Sequence, residues 1–462
     1  MSAAANRPKL RIELLSGFRV DASIPRLYIA HALIPYNRTS SRVFPFCFLL
    51  VLAPRVFLVG MSSATNASRH LPEPLAPHDS AQHTRTGIDV LEAQNFAALQ
   101  GKRVGLITNH TGVDSAGRRT IDVLAHATGV KLVALFSPEH GIAGRMDETV
   151  ANSSDEATGL PIYSLYGESR RPTAEMFTNL DALVYDIQDA GVRFYTYVTT
   201  MAYCMEQAAK QHVAFFVLDR PAILGGEVIE GPMLDADKTS FVAYFPMPVR
   251  FGMTLGELAQ MFNAENKIGA DLHVIALQNW HRSETYDQTG LAWIAPSPNL
   301  RTLRAAFLYP GIEILQAGGV SVGRGTDTPF ELFGAPWIRP VDLIVELNRW
   351  PVPGVGIQGL KIAPTQFTPN AGVYKGERCE GVSLTVTNRV SFRSMLMGLE
   401  IIAALHKLYP RNFDVAKTIE LLGSKSTVDA LLRGDDPRDI VAGWSSDLDK
   451  FRATRQKYLI YH

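Results

Sequence analysis

The residues fit for chemistry in this chain gather where runs of apolar β-formers break off into polar clusters. The clusters are Asn109-His110-Thr111-Gly112, Ser137-Pro138-Glu139-His140-Gly141, Asp186-Ile187-Gln188-Asp189-Ala190-Gly191 and Asp219-Arg220-Pro221. Carboxyls, imidazoles and amides at such places hold, donate and accept protons, which is the working equipment of a hydrolase. In an open parallel sheet, ligands bind in the crevice outside the carboxyl ends of the strands, so these clusters predict one shared site.

Alternating strands and helices must position them. Residues 102–108, 131–136, 181–187, 213–218 and 272–276 read as short strands, and 120–127 and 197–211 carry helical spacing between them. The fold class expected is α/β, a Rossmann-like, mainly parallel sheet covered on both faces with right-handed crossovers. From about Pro296 the texture changes. Pro296-Ser297-Pro298-Asn299, Tyr309-Pro310-Gly311, Gly323-Arg324-Gly325 and 330–337 read as punctuated turns, with a strand at 382–386, an amphipathic helix at 395–408 and another helix starting at 418–422. The domains expected are a leader and disordered segment over 1–85, a Rossmann-like catalytic domain over 86–295 and a smaller α+β domain over 296–462, with a cleft between the last two. No internal repeat or heptad pattern is visible.

Neither G-x-G-x-x-G nor G-x-x-x-x-G-K-[ST] follows a strand, so no nucleotide cradle and no cofactor are expected. Basic and acidic residues balance at 45 each in 462 residues, which leaves no overall field to draw nucleic acid or an anionic membrane. Recognition must be local. Cys47, Cys204 and Cys379 are too few for a disulfide framework, and Cys204 and Cys379 are expected as free thiols. The apolar run at 44–53, with Arg38 and Arg42 before it and Ser62, Ser63, Ala64 and Ala67 after it, has the layout of a secretory signal. Arg55 cuts it off from the apolar residues 56–60, and it falls short of the ~20 apolar residues of a spanning helix. The expectation is an exported protein, periplasmic or extracellular, with no stable membrane span in its mature form. A start at Met61 would remove the signal and leave the protein cytoplasmic. Residues 66–85 read as a disordered lead-in.

Seven segments, GKRVGLITNHTGVD (101–114), LFSPEHGIAG (135–144), TGLPIYSLYG (158–167), DIQDAGVRFYTYVTT (186–200), LDRP (218–221), PSPNL (296–300) and SVGRGT (321–326), resemble in matching order the exo-β-N-acetylmuramidase family, glycoside hydrolase family 171. The resemblance runs from about Gly87 to the C-terminus. It implies a Rossmann-like domain with a smaller C-terminal one, and release of terminal N-acetylmuramic acid from the non-reducing end of peptidoglycan fragments during cell-wall turnover or recycling. The partners implied are muropeptides and MurNAc-GlcNAc; oligomeric state is open.

Glycosidic cleavage uses one carboxylic acid to protonate the leaving oxygen and a second group to stabilise, attack or hydrate the anomeric carbon. Glu139 is the acid expected, since Pro138 stiffens its approach from the strand, Gly141 lets the backbone turn, and a partly desolvated crevice favours a proton-holding carboxyl. Asp189, ahead of Asp186, is the candidate for the second group; the substrate's own N-acetyl oxygen is the other route, and either aspartate has a structural reading. The lactyl carboxylate that distinguishes muramic acid suits a guanidinium, with Arg193 and Arg324 as candidates against an ordinary ion-pair reading. Tyr195 and Tyr197 can stack on a sugar or hydrogen-bond it, Asn109 and His110 can hold the N-acetyl group or orient Glu139, and His140 serves in catalysis or behind it. Two alternatives stand beside this reading. One is a metal-dependent hydrolase with ligands among His110, His140, Asp186, Asp189 and Asp219, although no H-x-x-x-H or H-x-H pair is present at these sites. The other is a sugar-binding protein without turnover.

Overall fold

Runs of β-branched and aromatic residues, each too short for a stable helix, build the first lobe. They form β1 (Arg103–Thr108), β2 (Lys131–Ser137), β3 (Ser153–Ser154), β4 (Pro161–Ser164), β5 (Ala182–Asp186) and β6 (Ala214–Leu218). A separate hairpin pairs β7 (Glu230–Met233) with β8 (Pro248–Arg250), and β9 (Leu272–Ile275) closes the main sheet at its far edge. Strand order is β3-β4-β2-β1-β5-β6-β9, parallel throughout except for β3 against β4. The computed structural model describes residues 83–144, 151–167, 169–349 and 357–462, all within one compact unit, Leu75–His462. The expected secretory signal, Cys47 and Met61 lie outside the described residues.

Side-chain alternation sets the two faces of the sheet. Val104, Leu106, Val184, Phe216 and Leu218 point to one core with Ile121 and Leu124 of α2 (Thr120–Ala125) and with α1 (Gly87–Ala93). Ile107, Leu183, Tyr185, Phe215 and Val217 point to the other, where α3 (Tyr197–Lys210) and α4 (Leu255–Glu265) cover them and the apolar packing continues into the second lobe. Fully burying each such side chain is worth about 1.5–3 kcal/mol, so the alternation fixes register as well as stability. The chain leaves β1 toward β2 and β4, then returns to β5 on the other side of β1. That reversal makes the β1/β5 junction the topological switch point, where a ligand crevice opens.

The smaller lobe holds α5 (Leu303–Ala317), α6 (Pro340–Leu347) and α7 (Ser394–Leu408), an antiparallel sheet ordered β10-β12-β11 (β10 Leu332–Ala335, β11 Leu360–Phe367, β12 Cys379–Val386), and the short helices α8 (Ile419–Leu422), α9 (Lys425–Arg433), α10 (Pro437–Gly443) and α11 (Ser445–Arg455). The turn expected at Tyr309-Pro310-Gly311 is instead the interior of α5, which runs through Pro310. Those residues serve a helix crossing. A Cβ on Gly311 would fall 2.2 Å from the Ser394 carbonyl oxygen, one on Gly398 would fall 2.8 Å from Gly311 Cα, and the Gly311 amide donates to Ser394 Oγ at 3.1 Å. The strand β10 likewise occupies part of a stretch read as turns. Cys204 and Cys379 are buried free thiols.

Candidate active site

Four neighbouring strands, β2, β1, β5 and β6, deliver the four polar clusters to one edge of the sheet, but the clusters do different work. After β2 the chain turns tightly through Glu139, His140 (φ 72°), Gly141 (φ 71°) and Gly144 (φ 64°). Such left-handed backbone is costly for a side-chain-bearing residue, and here it follows directly on Glu139. Glu139 and His140 are half-buried. The Thr196 hydroxyl donates to Glu139 Oε2 at 2.5 Å. Thr196 is the N-cap of α3, yet its side chain makes no cap bond to the helix, so the hydroxyl that would cap the helix holds the carboxylate instead.

After β1, Asn109 forms an Asx-turn. Its Oδ1 accepts from the Thr111 amide (2.9 Å) and hydroxyl (2.6 Å), while its Nδ2 donates to the Tyr197 hydroxyl at 3.1 Å. The Tyr197 hydroxyl reaches the carbonyls of Pro296 at 3.1 Å and Glu139 at 3.5 Å. Asn109 and Tyr197 are therefore buried braces behind Glu139, with their polar atoms engaged inside the protein. His110 is half-buried; its Nε2 lies 2.7 Å from the Ala295 carbonyl, and a Cβ on Gly144 would fall 1.9 Å from its Nδ1. The ring thus joins the chain at Ala295 to the glutamate loop.

After β5, Asp186 and Asp189 part ways. Asp186 is fully buried and binds the Arg220 guanidinium through both oxygens (2.6 and 3.0 Å) and the Thr120 hydroxyl. Contrary to expectation it does not face substrate, because those partners take up the carboxylate within the core. Asp189 is 6% exposed; its Oδ1 accepts from the Gly191 amide at 2.7 Å, and its buried Oδ2 has no partner among the described residues. Burial raises its pKa to about 7, only partly offset by the Gly191 amide. Asp189 thus lies behind the crevice wall, not on its surface. After β6, Asp219 is likewise internal, accepting from Tyr461 (2.6 Å), Thr254 (2.7 Å) and the Gly256 amide (2.8 Å), and burial raises it to about 6.

Arg193 is a second correction. It is 1% exposed, and it donates to the carbonyls of Pro232 (3.0 Å), Met247 (2.6 Å), Leu421 (3.0 Å) and Leu422 (2.7 Å). Those bonds tie the two lobes together and leave no fork for a ligand, while burial lowers its pKa to about 9. Arg324 is half-buried on a loop flanked by Gly323 and Gly325, both at φ 79°. It pairs with Glu313 at 2.7 Å and lies over the Phe330 ring at 5.2 Å. Glu313, on α5, is buried with one oxygen unpartnered, and burial raises its pKa against the pull of Arg324.

Tyr309 shows how these groups converge. Its hydroxyl is pushed well up by burial first, then by the charge of Glu313, opposed by Arg324, with Glu139 and Asp189 adding to the rise. Ionisable groups from both lobes therefore act electrostatically on one ring. Tyr195, itself buried, packs edge-on against Tyr197 (4.8 Å) and Tyr309 (6.1 Å), so it belongs to this aromatic wall. Thr196, Tyr309 and Glu313 were not singled out from sequence. Thr196 carries a signal, an N-cap residue type directly before a helix; Tyr309 was hidden by the Pro-Gly that follows it. Among the described residues no three His, Cys, Asp or Glu side chains converge as a metal ion needs, and Asp186 and Asp219 of the alternative ligand set have internal partners.

Family models described as exo-β-N-acetylmuramidase NamZ match residues 104–304 (N-terminal part) and 307–461 (C-terminal part). Peptidoglycan β-N-acetylmuramidase NamZ of Bacillus subtilis (strain 168) is 41% identical over 421 residues, covering 90% of this chain and 99% of that protein. Crystal structures of two DUF1343 family proteins from Bacteroides fragilis NCTC 9343 align with TM-scores of 0.76 and 0.67 at 39% and 30% identity, each covering 82% of this chain and 99% of the other. With both halves matched in order and the relative covered almost end to end, the chain belongs to the exo-β-N-acetylmuramidase NamZ family.

Proposed function

We propose that the protein is an exo-acting glycoside hydrolase that releases terminal N-acetylmuramic acid from the non-reducing end of peptidoglycan fragments, with Glu139 as general acid. One observation carries the assignment: Glu139 is a half-exposed carboxyl at the strand-end crevice, gripped by Thr196 and backed by the Asn109–Tyr197 brace. Protonating a leaving oxygen needs a carboxyl that reaches substrate, and Asp189, shielded from solvent, does not. Asp189 acts as a positioning residue behind Tyr195 and Tyr309. That arrangement favours the substrate's acetamido oxygen over a second enzyme carboxylate as the group that meets the anomeric carbon. Arg324 takes the lactyl carboxylate in this reading, with Glu313 as the partner that the ligand relieves.

The natural substrates are muropeptides and MurNAc-GlcNAc, met after export of the protein; the apolar run at 44–53 supports export. The chemistry calls for no cofactor. Incubating the purified protein with MurNAc-GlcNAc and weighing the released sugars tests the reading. Free N-acetylmuramic acid and N-acetylglucosamine in equal amounts are expected. Intact, bound disaccharide would mark a binding protein instead.

A further inference from the structure

Burial changes along the strand-end rim, from the β1/β5 side to the β4 side. On the β1/β5 side lie Asp189, Tyr195 and Tyr309, each 6–7% exposed. On the β4 side the rim is exposed. Ser137 of β2 pairs with Ser164 of β4, and the Leu165 amide donates to the Ser137 carbonyl at 2.8 Å. Glu139 and Tyr166 therefore leave adjacent parallel strands two residues beyond the same register pair, at strands separated by about 4.8 Å.

At that rim Arg170 is exposed, and its guanidinium lies against two neighbouring rings, 4.4 Å from the centroid of Phe241 and 5.3 Å from that of Tyr166. The rings are themselves 6.0 Å apart. Its neighbour Arg171 stacks on Tyr203 at 3.5 Å and is neutralised by Glu206. Arg170 differs, since no carboxylate among the described residues pairs with it. Stacking fixes the plane of a guanidinium while leaving its edge donors open, which suits a bidentate carboxylate.

We propose that Tyr166, Arg170 and Phe241 form a leaving-side subsite that binds a carboxylate on the second muramic residue of the substrate. This inference rests on the function proposed above. With the terminal sugar of an exo-acting enzyme seated toward the buried β1/β5 side, the rest of the chain runs out over the exposed β4 side. The first sugar there, N-acetylglucosamine, is neutral. The next is a muramic residue, whose lactyl group supplies a carboxylate either directly or through the peptide attached to it. Arg324 and Arg170 then recognise acidic groups on opposite sides of the scissile bond.

The test compares kcat/KM on MurNAc-GlcNAc-MurNAc with kcat/KM on MurNAc-GlcNAc for the wild type, Arg170→Gln and Arg170→Lys. Arg170→Gln should lower the trisaccharide-to-disaccharide ratio about three- to tenfold, the range of one partly exposed charge-assisted contact. Arg170→Lys, which keeps the charge and loses the stacked fork, should fall between. The drop should appear in KM and leave the thermal midpoint in place, because the residue is exposed. An unchanged ratio would overturn the subsite, and so would an equal loss on both substrates, which would assign Arg170 to the terminal sugar. Failure of the wild type to release N-acetylmuramic acid from either substrate would instead remove the underlying reading.

Discussion

Among individual residues, Glu139 and Asp189 show how similar groups acquire different tasks from their surroundings. Glu139 is half-buried and held by one hydroxyl, while Asp189 is buried with one oxygen unpartnered among the described residues. The burial of Asp189 has a thermodynamic signature. Below about pH 4 both folded and unfolded chains hold its proton; as pH rises the unfolded chain loses it near the ordinary value of 3.8, while the folded one keeps it to about 7. Stability from this group therefore falls between pH 4 and 7, by at most about 4 kcal/mol, and stays low above that. Asp189→Asn keeps an acceptor for the Gly191 amide and removes the titration. The variant should gain stability relative to wild type across that interval, and thermal melts at pH 4, 5.5 and 7 check it; a constant offset would contradict it.

The secondary-structure elements divide into those the sequence announces and those it conceals. Strands β1, β2, β5 and β6 and helices α3 and α7 are legible because their apolar residues alternate or recur at helical spacing over a whole element. Helix α5 is not, because Pro310-Gly311 is a turn signal locally and a helix-crossing device only once Gly398 and Ser394 of α7 are in place. Tyr309 was lost with it. Gly311→Ala should push the helices apart, at a cost of about 1–3 kcal/mol for overpacking at a crossing with no room for a methyl group. Because Tyr309 lies two residues away, activity should fall as well. Denaturant midpoints and kcat measured on the same preparation check both parts; a variant of native stability would refute the crossing as the reason for the glycine.

At the scale of the whole molecule, long-range polar ties unite the lobes, and no local pattern foretells them. Arg193 looked like a ligand residue because it follows an aspartate cluster and precedes three aromatic rings. Its partners are carbonyls as far away as Leu422, a separation of 229 residues, so its fate is decided by tertiary structure alone. The C-terminal tail is a second tie. The amides of Ile460 and Tyr461 donate to Glu257, and the Tyr461 hydroxyl donates to Asp219. Tyr461→Phe keeps the ring against Trp280 and removes a donor from a buried carboxylate, which should cost about 1–3 kcal/mol. Chemical denaturation measures it, and a change below about 0.5 kcal/mol would mean the Tyr461–Asp219 bond does not help hold the tail. The shared rim was legible in the sequence. Which of its polar groups face outward was not, because that depends on partners such as Thr120, Arg220 and Tyr461 from other segments.

Everything proposed for the site turns on whether the Glu139 carboxyl protonates the leaving oxygen. Glu139→Gln preserves shape and removes the acid, and comparing its kcat/KM on MurNAc-GlcNAc with that on an aryl N-acetylmuraminide bearing a good leaving group isolates that step. A loss of about 10²–10⁴-fold is expected on the disaccharide and a far smaller one on the aryl glycoside, which needs little protonation. Equal and nearly full activity on both substrates would contradict it.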